Sequence, residues 1–348
     1  PGSGTRATVS SAIGFALDFY DLYVVVFVAP VIANLFFPSQ NTALSLAGVF
    51  GALAATLLMR PVGAVLMGSL ADRRGRRSAM VVALFGVGAV TALMGVLPTV
   101  HQVGVLAPIL LLSLRLVQGI FVGGVFASTL TMAIETVAPR RRGLVSGLVG
   151  GGGTAVGSVL AALSFFAATQ LFPGPEFNEW GWRAMFLVGG LPVLLSLLAL
   201  RYVDESPLWE RAQKKPGRPL RQLIARPYKR VLTFNIMIVF GIGTHFLLTL
   251  GFLPTYLQVV NHLQAGTVSS LLVWVNLTTL VCAPLTGHLS ELFGRRRVLL
   301  IISVINALTL PILYWQLAGL RDESFGLIIA ITVLVSCLTV AAFGPLPI

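Results

Sequence analysis

Apolar runs, each about as long as a bilayer crossing, alternate with short polar connections along most of this chain. A spanning helix needs about 20 mostly apolar residues, and ten segments qualify: 9–35, 43–71, 78–98, 105–133, 143–171, 182–201, 231–256, 266–286, 298–317 and 325–347. The pattern predicts an all-α membrane protein with about ten transmembrane helices. One polar stretch is longer than the others, Tyr202 to Arg230, containing DESPLWERAQKKPGRPLRQLIARPYKR. It divides the chain into an N-terminal six-helix bundle (1–201), a basic linker (202–230) and a C-terminal bundle of about four helices (231–348).

Composition removes the soluble alternatives. The 348 residues are 56% hydrophobic and only 10% charged, where a soluble domain carries about 25% charged residues. So few charges cannot cover globular surfaces, and lipid must face much of the apolar area. The start, Pro1 to Ser10, has no signal-peptide pattern and reads as trimmed. Cys282 and Cys337 lie inside apolar segments at a spacing that suggests neither a metal nor a redox motif, and both read as packing residues.

The formal charge of +12 raises the question of nucleic acid, and its distribution answers it. Apart from Arg60, Arg115, Arg183 and Arg321, every Lys and Arg falls in the N-terminal tail or in alternate connections: 73–77, 140–142, 201–230 and 295–297. The intervening connections, FFPSQNT, PTVHQ, PGPEFNEW, NHLQAGT and GLRDES, hold almost none. By the positive-inside rule the basic side is cytoplasmic, so the N-terminus and the 202–230 loop are cytoplasmic and the two halves run parallel in the cell membrane. The basic excess is a topology signal, and no nucleic-acid partner is expected.

A charge within a span costs roughly 2.5–3.5 kcal/mol on insertion scales, so each one is a functional candidate. Asp18 and Asp21 lie three residues apart on one face of the first span, about 14 and 18 Å from its cytoplasmic start at 1.5 Å per residue. Arg115 lies about 15 Å into the fourth span by the same rise, and Arg60 sits in the cytoplasmic half of the second. Aspartates facing Arg60 or Arg115 would offset both desolvation costs. Two readings stay open: a carboxylate that takes up a coupling proton with an arginine that holds an anionic substrate, or a structural ion pair. Gln118 is one turn from Arg115, and Tyr20 offers a hydroxyl near the acidic pair. His245, beside Thr244 in the seventh span, is either a titrating group or a structural one. Asn276 in the eighth span either packs helices or reads substrate.

The halves share a repeat. GSLADRRGRR at 68–77 and GHLSELFGRR at 287–296 each close the second helix of their half, and Asp72 is matched by Glu291. Parallel halves that repeat a charged turn suit a rocking, alternating-access transporter. Opposite charges at that face, Asp72, Arg76, Arg77, Glu135 and Arg142, with Glu291, Arg295 and Arg296 in the second half, could hold one conformation closed.

These residues resemble the major facilitator superfamily signature, in which a G-x-L-x-D-R-x-G-R-R turn joins the second and third helices. The resemblance implies two parallel six-helix halves, substrate bound near mid-membrane, and a cytoplasmic gate role for Asp72, Gly75, Arg76 and Arg77. It also implies twelve helices, so the last two are expected to be absent from this chain and its C-terminal end to be truncated. IGFALDFYDLY at 13–23, RPVGAVLMGSLADRRGRR at 60–77, RLVQGIFVGG at 115–124 and ETVAPRRRG at 135–143 are most similar to metabolite:proton symporters, and DESPLWE at 204–210 is similar to sugar-porter-like relatives. The RLVQG match implies a proton-coupling role for Arg115. Val125 stands where many metabolite:proton symporters carry an acidic residue.

The glycine run GLVGGGGTAVGS at 147–158 is not followed by Lys-Ser/Thr and lies in an apolar span, so it reads as close helix packing through Gly147 with Gly151 and Gly153 with Gly157 rather than as a phosphate loop. The expectation is a proton-driven symporter for a small organic anion or zwitterion, such as a carboxylate or betaine. A facilitator or antiporter is the alternative on the same fold, and a polytopic enzyme or channel the alternative of another class. Its partners are the small-molecule substrate, protons and the lipid bilayer; no cofactor or metal is expected, and a monomer is.

Overall fold

The computed structural model describes residues 3–138, 141–202, 204–205, 209, 228–246, 248–249, 253, 256–257, 260–263, 265–320 and 325–342. Most of the linker expected at 202–230 therefore lies outside the described residues, as do parts of the expected spans 231–256 and 325–347. The described chain is helical: α1 (Ser3–Phe27), α2 (Ala29–Phe36), α3 (Thr42–Arg74), α4 (Arg76–Gly95), α5 (Leu106–Glu135), α6 (Arg142–Gly147), α7 (Gly153–Leu171), α8 (Trp182–Val188), α9 (Leu191–Tyr202), α10 (Tyr228–Phe246), α11 (Ala265–Phe293), α12 (Arg295–Ala318) and α13 (Phe325–Ala341). Wider π-type turns at Leu148–Gly152 and Phe177–Gly181 join α6 to α7 and lead into α8.

Seven described segments are long and apolar enough to cross a membrane: Thr8–Phe27, Thr42–Arg74, Arg76–Gly95, Leu106–Glu135, Arg142–Leu171, Phe177–Leu198 and Arg295–Ala318. The expected spans 231–256 and 266–286 fall on α10 and α11, and 325–347 falls on α13, a shorter apolar helix. Large apolar side chains face outward, with Leu58 76% and Trp315 78% exposed. Such surfaces suit lipid rather than water.

Local chemistry sets the helix ends. Asn41 starts α3 by accepting a hydrogen bond from the Ala43 amide at 2.9 Å. The turn between α3 and α4 requires φ +103° at Gly75, and the turn between α11 and α12 requires +87° at Gly294, a region that favours glycine. The two copies of the sequence repeat thus make the same backbone turn.

The chain divides into two compact units, Pro1–Thr136 with Val156–Pro216, and Val137–Ala155 with Gly217–Ile348. In the first, Phe36, Trp182 and Phe186 form an edge-to-face aromatic core, with ring centroids 5.8 and 6.0 Å apart. There α3 and α5 approach so closely that a Cβ at Gly119 or Gly123 would collide with the carbonyl oxygens of Thr56 and Arg60. In the second unit, Leu253, Leu271, Val275, Leu310 and Val335 belong to the apolar core. The first turns of the glycine run pack there on α11, where Gly147 and Gly151 leave room for Ala283.

Candidate functional site

The close packing of α3 on α5 brings Arg60 and Arg115 to the face of α1 that carries Asp18 and Asp21. Both aspartates are buried, at 2% and 5% exposure, and Arg115 is 2% exposed. The structure sorts the pairs. Arg115 Nη1 lies 3.0 Å from Asp21 Oδ2, while Arg60 Nη2 stands 3.7 Å from Asp18 Oδ1 with a quarter of its side chain exposed. Asp21 is therefore held by a hydrogen-bonded ion pair and Asp18 by a looser one.

The pair is extended by neutral groups. Arg115 Nη1 also donates to Gln118 Oε1 at 2.7 Å, and Gln118 Nε2 donates to Thr91 Oγ1 at 2.8 Å. Thr91 lies on α4, and its hydroxyl stands 3.2 Å from Asp21 Oδ1 and 2.8 Å from the Val87 carbonyl oxygen. The ring Asp21–Arg115–Gln118–Thr91 thus joins α1, α5 and α4 through buried polar atoms. The Arg115 guanidinium also faces the Phe186 ring, 5.8 Å from its centroid.

A cavity lies between the charged groups, lined by Asp18, Asp21, Leu22, Leu53, Thr56, Leu57, Arg60, Arg115 and Val122. Its free space is ≈ 10 Å³, about what one water needs. A single water could relay a proton between the carboxylates, but an organic substrate has no room here in this conformation.

The remaining candidates lie elsewhere. The Tyr20 hydroxyl is 2.9 Å from both Ser164 Oγ and the Met185 carbonyl, so it ties α1 to α7 and α8 instead of lining the cavity. In the second unit, His245 Nε2 lies 3.3 Å from Asn306 Nδ2, which also donates to the Leu338 carbonyl at 2.9 Å. Asn276 lies half-buried on α11. Among the described residues no group of three or more His, Cys, Asp and Glu side chains could hold a metal ion.

The repeated turns carry a second constellation. In the first unit, Arg76 pairs with Asp72 at 3.0 Å and approaches Glu135 at 3.7 Å. Glu205 accepts from the Arg77 amide at 3.1 and 3.3 Å through its two oxygens, at the N-terminus of α4, and Trp209 Nε1 donates to the Asp72 carbonyl at 3.2 Å. A carboxylate on the first amides of a helix satisfies orphan donors and complements the dipole. In the second unit, Glu291 pairs with Arg295 at 3.0 Å and accepts from the Gly143 amide at 3.0 Å. Gly143 follows Arg142 at the start of α6, and Arg296 is exposed.

Thr91, Glu205 and Trp209 are not among the residues that the sequence singles out. Thr91 carries no signal, since a threonine in a span most often bonds its own preceding turn. Glu205 and Trp209 lay in DESPLWE, whose resemblance to sugar-porter-like chains was the available sign.

Comparison with known proteins agrees with this architecture. The family model described as Major Facilitator Superfamily matches residues 11–347. A putative proline/betaine transporter of Staphylococcus aureus (strain COL) is 33% identical over 302 residues, covering 85% of this chain and 64% of that protein. The chain thus spans somewhat less than two thirds of the length of that relative. A citrate-proton symporter of Salmonella typhi is 28% identical over 308 residues, covering 88% and 70%. Among solved structures, the proton:xylose symporter XylE bound to 6-bromo-6-deoxy-D-glucose superposes with a TM-score of 0.75 at 18% identity, covering 99% of this chain and 80% of that one. The xylose transporter XylE from E. coli in a partially occluded inward-open conformation gives 0.71 at 19% identity, covering 99% and 83%. These relatives are named as transporters, and the structural likeness carries the fold. With the family model matched along almost its whole length, this multi-pass membrane chain belongs to the major facilitator superfamily.

Proposed function

We propose that this protein couples proton entry to uptake of a small organic anion or zwitterion, a carboxylate or betaine, across the cell membrane. The observation that carries the reading is the buried Asp21–Arg115 pair beside a cavity with room for one water. Breaking a buried ion pair by neutralising one partner costs about 3–5 kcal/mol, because the other charge is left uncompensated. A proton on Asp21 therefore leaves Arg115 in need of an anion, and a substrate carboxylate supplies it through two parallel hydrogen bonds. Proton and carboxylate together restore the charge balance of the empty site, whereas either alone upsets it. That mutual requirement is what symport needs.

Thr91 and Gln118 would keep Arg115 oriented while its partner changes. The looser Asp18–Arg60 pair is suited to the cationic end of a zwitterion or to passing the proton on. The names of the proline/betaine and citrate-proton relatives support this substrate class. In the same reading residues 1–201 act as a six-helix bundle, 202–230 as a cytoplasmic linker and 231–348 as the second bundle, with the basic loops inside. The constellations around Asp72, Gly75, Arg76, Arg77 and Glu135, and around Arg142, Glu291, Arg295 and Arg296, would stabilise one side as closed.

The test is a proteoliposome assay on the full-length protein that records internal pH as carboxylates and betaines are added outside. A substrate that acidifies the lumen as it enters is the expected result. Entry without acidification would replace the reading with facilitation, and alkalinisation would replace it with antiport.

A further inference from the structure

Two cysteines 55 positions apart meet in the second unit: the sulfurs of Cys282 on α11 and Cys337 on α13 stand 3.2 Å apart. These are the two cysteines of the sequence, and both are free thiols, half-buried. Nothing else described here uses them. We infer that Cys282 and Cys337 form a modification site at which a small two-electron oxidant, hydrogen peroxide or an organic hydroperoxide, closes an intrachain disulfide that clamps α13 to α11.

The backbone around each thiol is already fixed. Ser336, just before Cys337, donates to the Val275 carbonyl on α11 at 3.2 Å. Leu338, just after it, accepts from Asn306 on α12 at 2.9 Å. On the other side, the Cys282 carbonyl accepts from the Thr286 hydroxyl at 2.9 Å, and Ala283 is lodged against Gly147 and Gly151. These ties hold the two thiols opposite one another. The sulfurs need to approach by only about 1.2 Å to reach a disulfide bond of about 2.05 Å.

With hydrogen peroxide the reaction balances without a further reductant or oxidant. One thiol gives up its proton and its sulfur attacks a peroxide oxygen. The O–O bond breaks, leaving a sulfenic acid and one water. The second thiol then attacks the sulfenic sulfur, the S–OH bond breaks, and the hydroxyl leaves with that thiol's proton as a second water. The two sulfurs lose two electrons and the peroxide gains them. The second step is intramolecular, so it outruns attack by an external thiol or further oxidation of the sulfenic acid.

The test treats membranes containing the full-length protein with hydrogen peroxide, blocks remaining thiols with N-ethylmaleimide, and analyses tryptic peptides by mass spectrometry. Arg295, Arg296, Arg297 and Arg321 lie between the cysteines, so trypsin separates them unless a disulfide joins the peptides. The expected product is a linked Cys282–Cys337 peptide pair, lighter by two hydrogens than the free peptides, split by dithiothreitol and lost in Cys337→Ser. In a mixture of isotopically heavy and light chains, heavy–heavy and light–light pairs are expected without mixed ones. Peptides that stay maleimide-labelled after peroxide, that carry sulfinic acids instead, or that pair between heavy and light chains would overturn the inference.

Discussion

The Thr91 hydroxyl lies 3.2 Å from Asp21 Oδ1 and 2.8 Å from the Val87 carbonyl oxygen while it accepts a hydrogen bond from Gln118 Nε2 at 2.8 Å. A hydroxyl carries one proton and can donate it to one of those two oxygens at a time. With Asp21 ionised, the hydroxyl donates to the carboxylate. With Asp21 protonated, the acid can donate to Thr91, whose own proton turns to Val87. The hydrogen bonds of the ring therefore persist in both protonation states, while the charge of Arg115 is balanced only when Asp21 is ionised.

Thr91→Val keeps the shape and removes the hydroxyl. It leaves the buried Gln118 amide and one Asp21 oxygen short of a partner, which costs about 1–3 kcal/mol. Thermal unfolding in detergent should show that loss, and Thr91→Ser should restore most of it. A valine variant as stable as wild type would remove Thr91 from the network.

Arg115→Gln strands the Asp21 carboxylate and should destabilise the protein by about 3–5 kcal/mol. The double change Asp21→Asn with Arg115→Gln removes both charges and should cost less than the sum of the two single changes. A double-mutant cycle read by chemical denaturation measures the difference, and additive effects would mean that the pair is not coupled.

Gly123→Ala places a methyl against the Arg60 carbonyl, whereas a methyl at Gly51 on α3 meets none of the described residues within 4 Å. The first substitution should cost about 1–3 kcal/mol through overpacking and the second should be near neutral. Equal unfolding temperatures for the two variants would contradict the close α3–α5 approach.

Glu205→Ala removes the carboxylate that caps α4. The expected loss is about 0.5–2 kcal/mol, and Glu205→Gln should lie between alanine and wild type because it can still accept from the Arg77 amide. Melting curves at low and high salt separate the charge contribution, which salt screens, from the hydrogen bond, which it does not.

Much of this site is legible in the chain because charge in an apolar span is costly. Asp18, Asp21 and Arg115 stand out for that reason, and helical spacing puts the two aspartates on one face of α1. Which arginine meets which aspartate does not follow, because it depends on how α3 and α5 rotate against α1. That rotation is set by carbonyl oxygens nesting on Gly119 and Gly123, a contact between backbones that leaves no charge or period to read. Tyr20 shows the limit of proximity in sequence: it lies beside Asp21, yet the 100° turn per residue points it at Ser164 and Met185. The repeated turns were legible as sequence, since Gly75 and Gly294 each occupy a conformation that other residues avoid. Glu205 capping a helix 128 positions away, and Cys282 meeting Cys337, are tertiary facts without a local signature.

If Asp21 carries the coupling proton, as proposed, Asp21→Asn separates two transport modes measured in the same proteoliposomes. Exchange of labelled for unlabelled substrate at equal concentrations is expected to persist, while accumulation driven by an imposed proton gradient is expected to be lost. An asparagine variant that still concentrates substrate as wild type does would contradict that role.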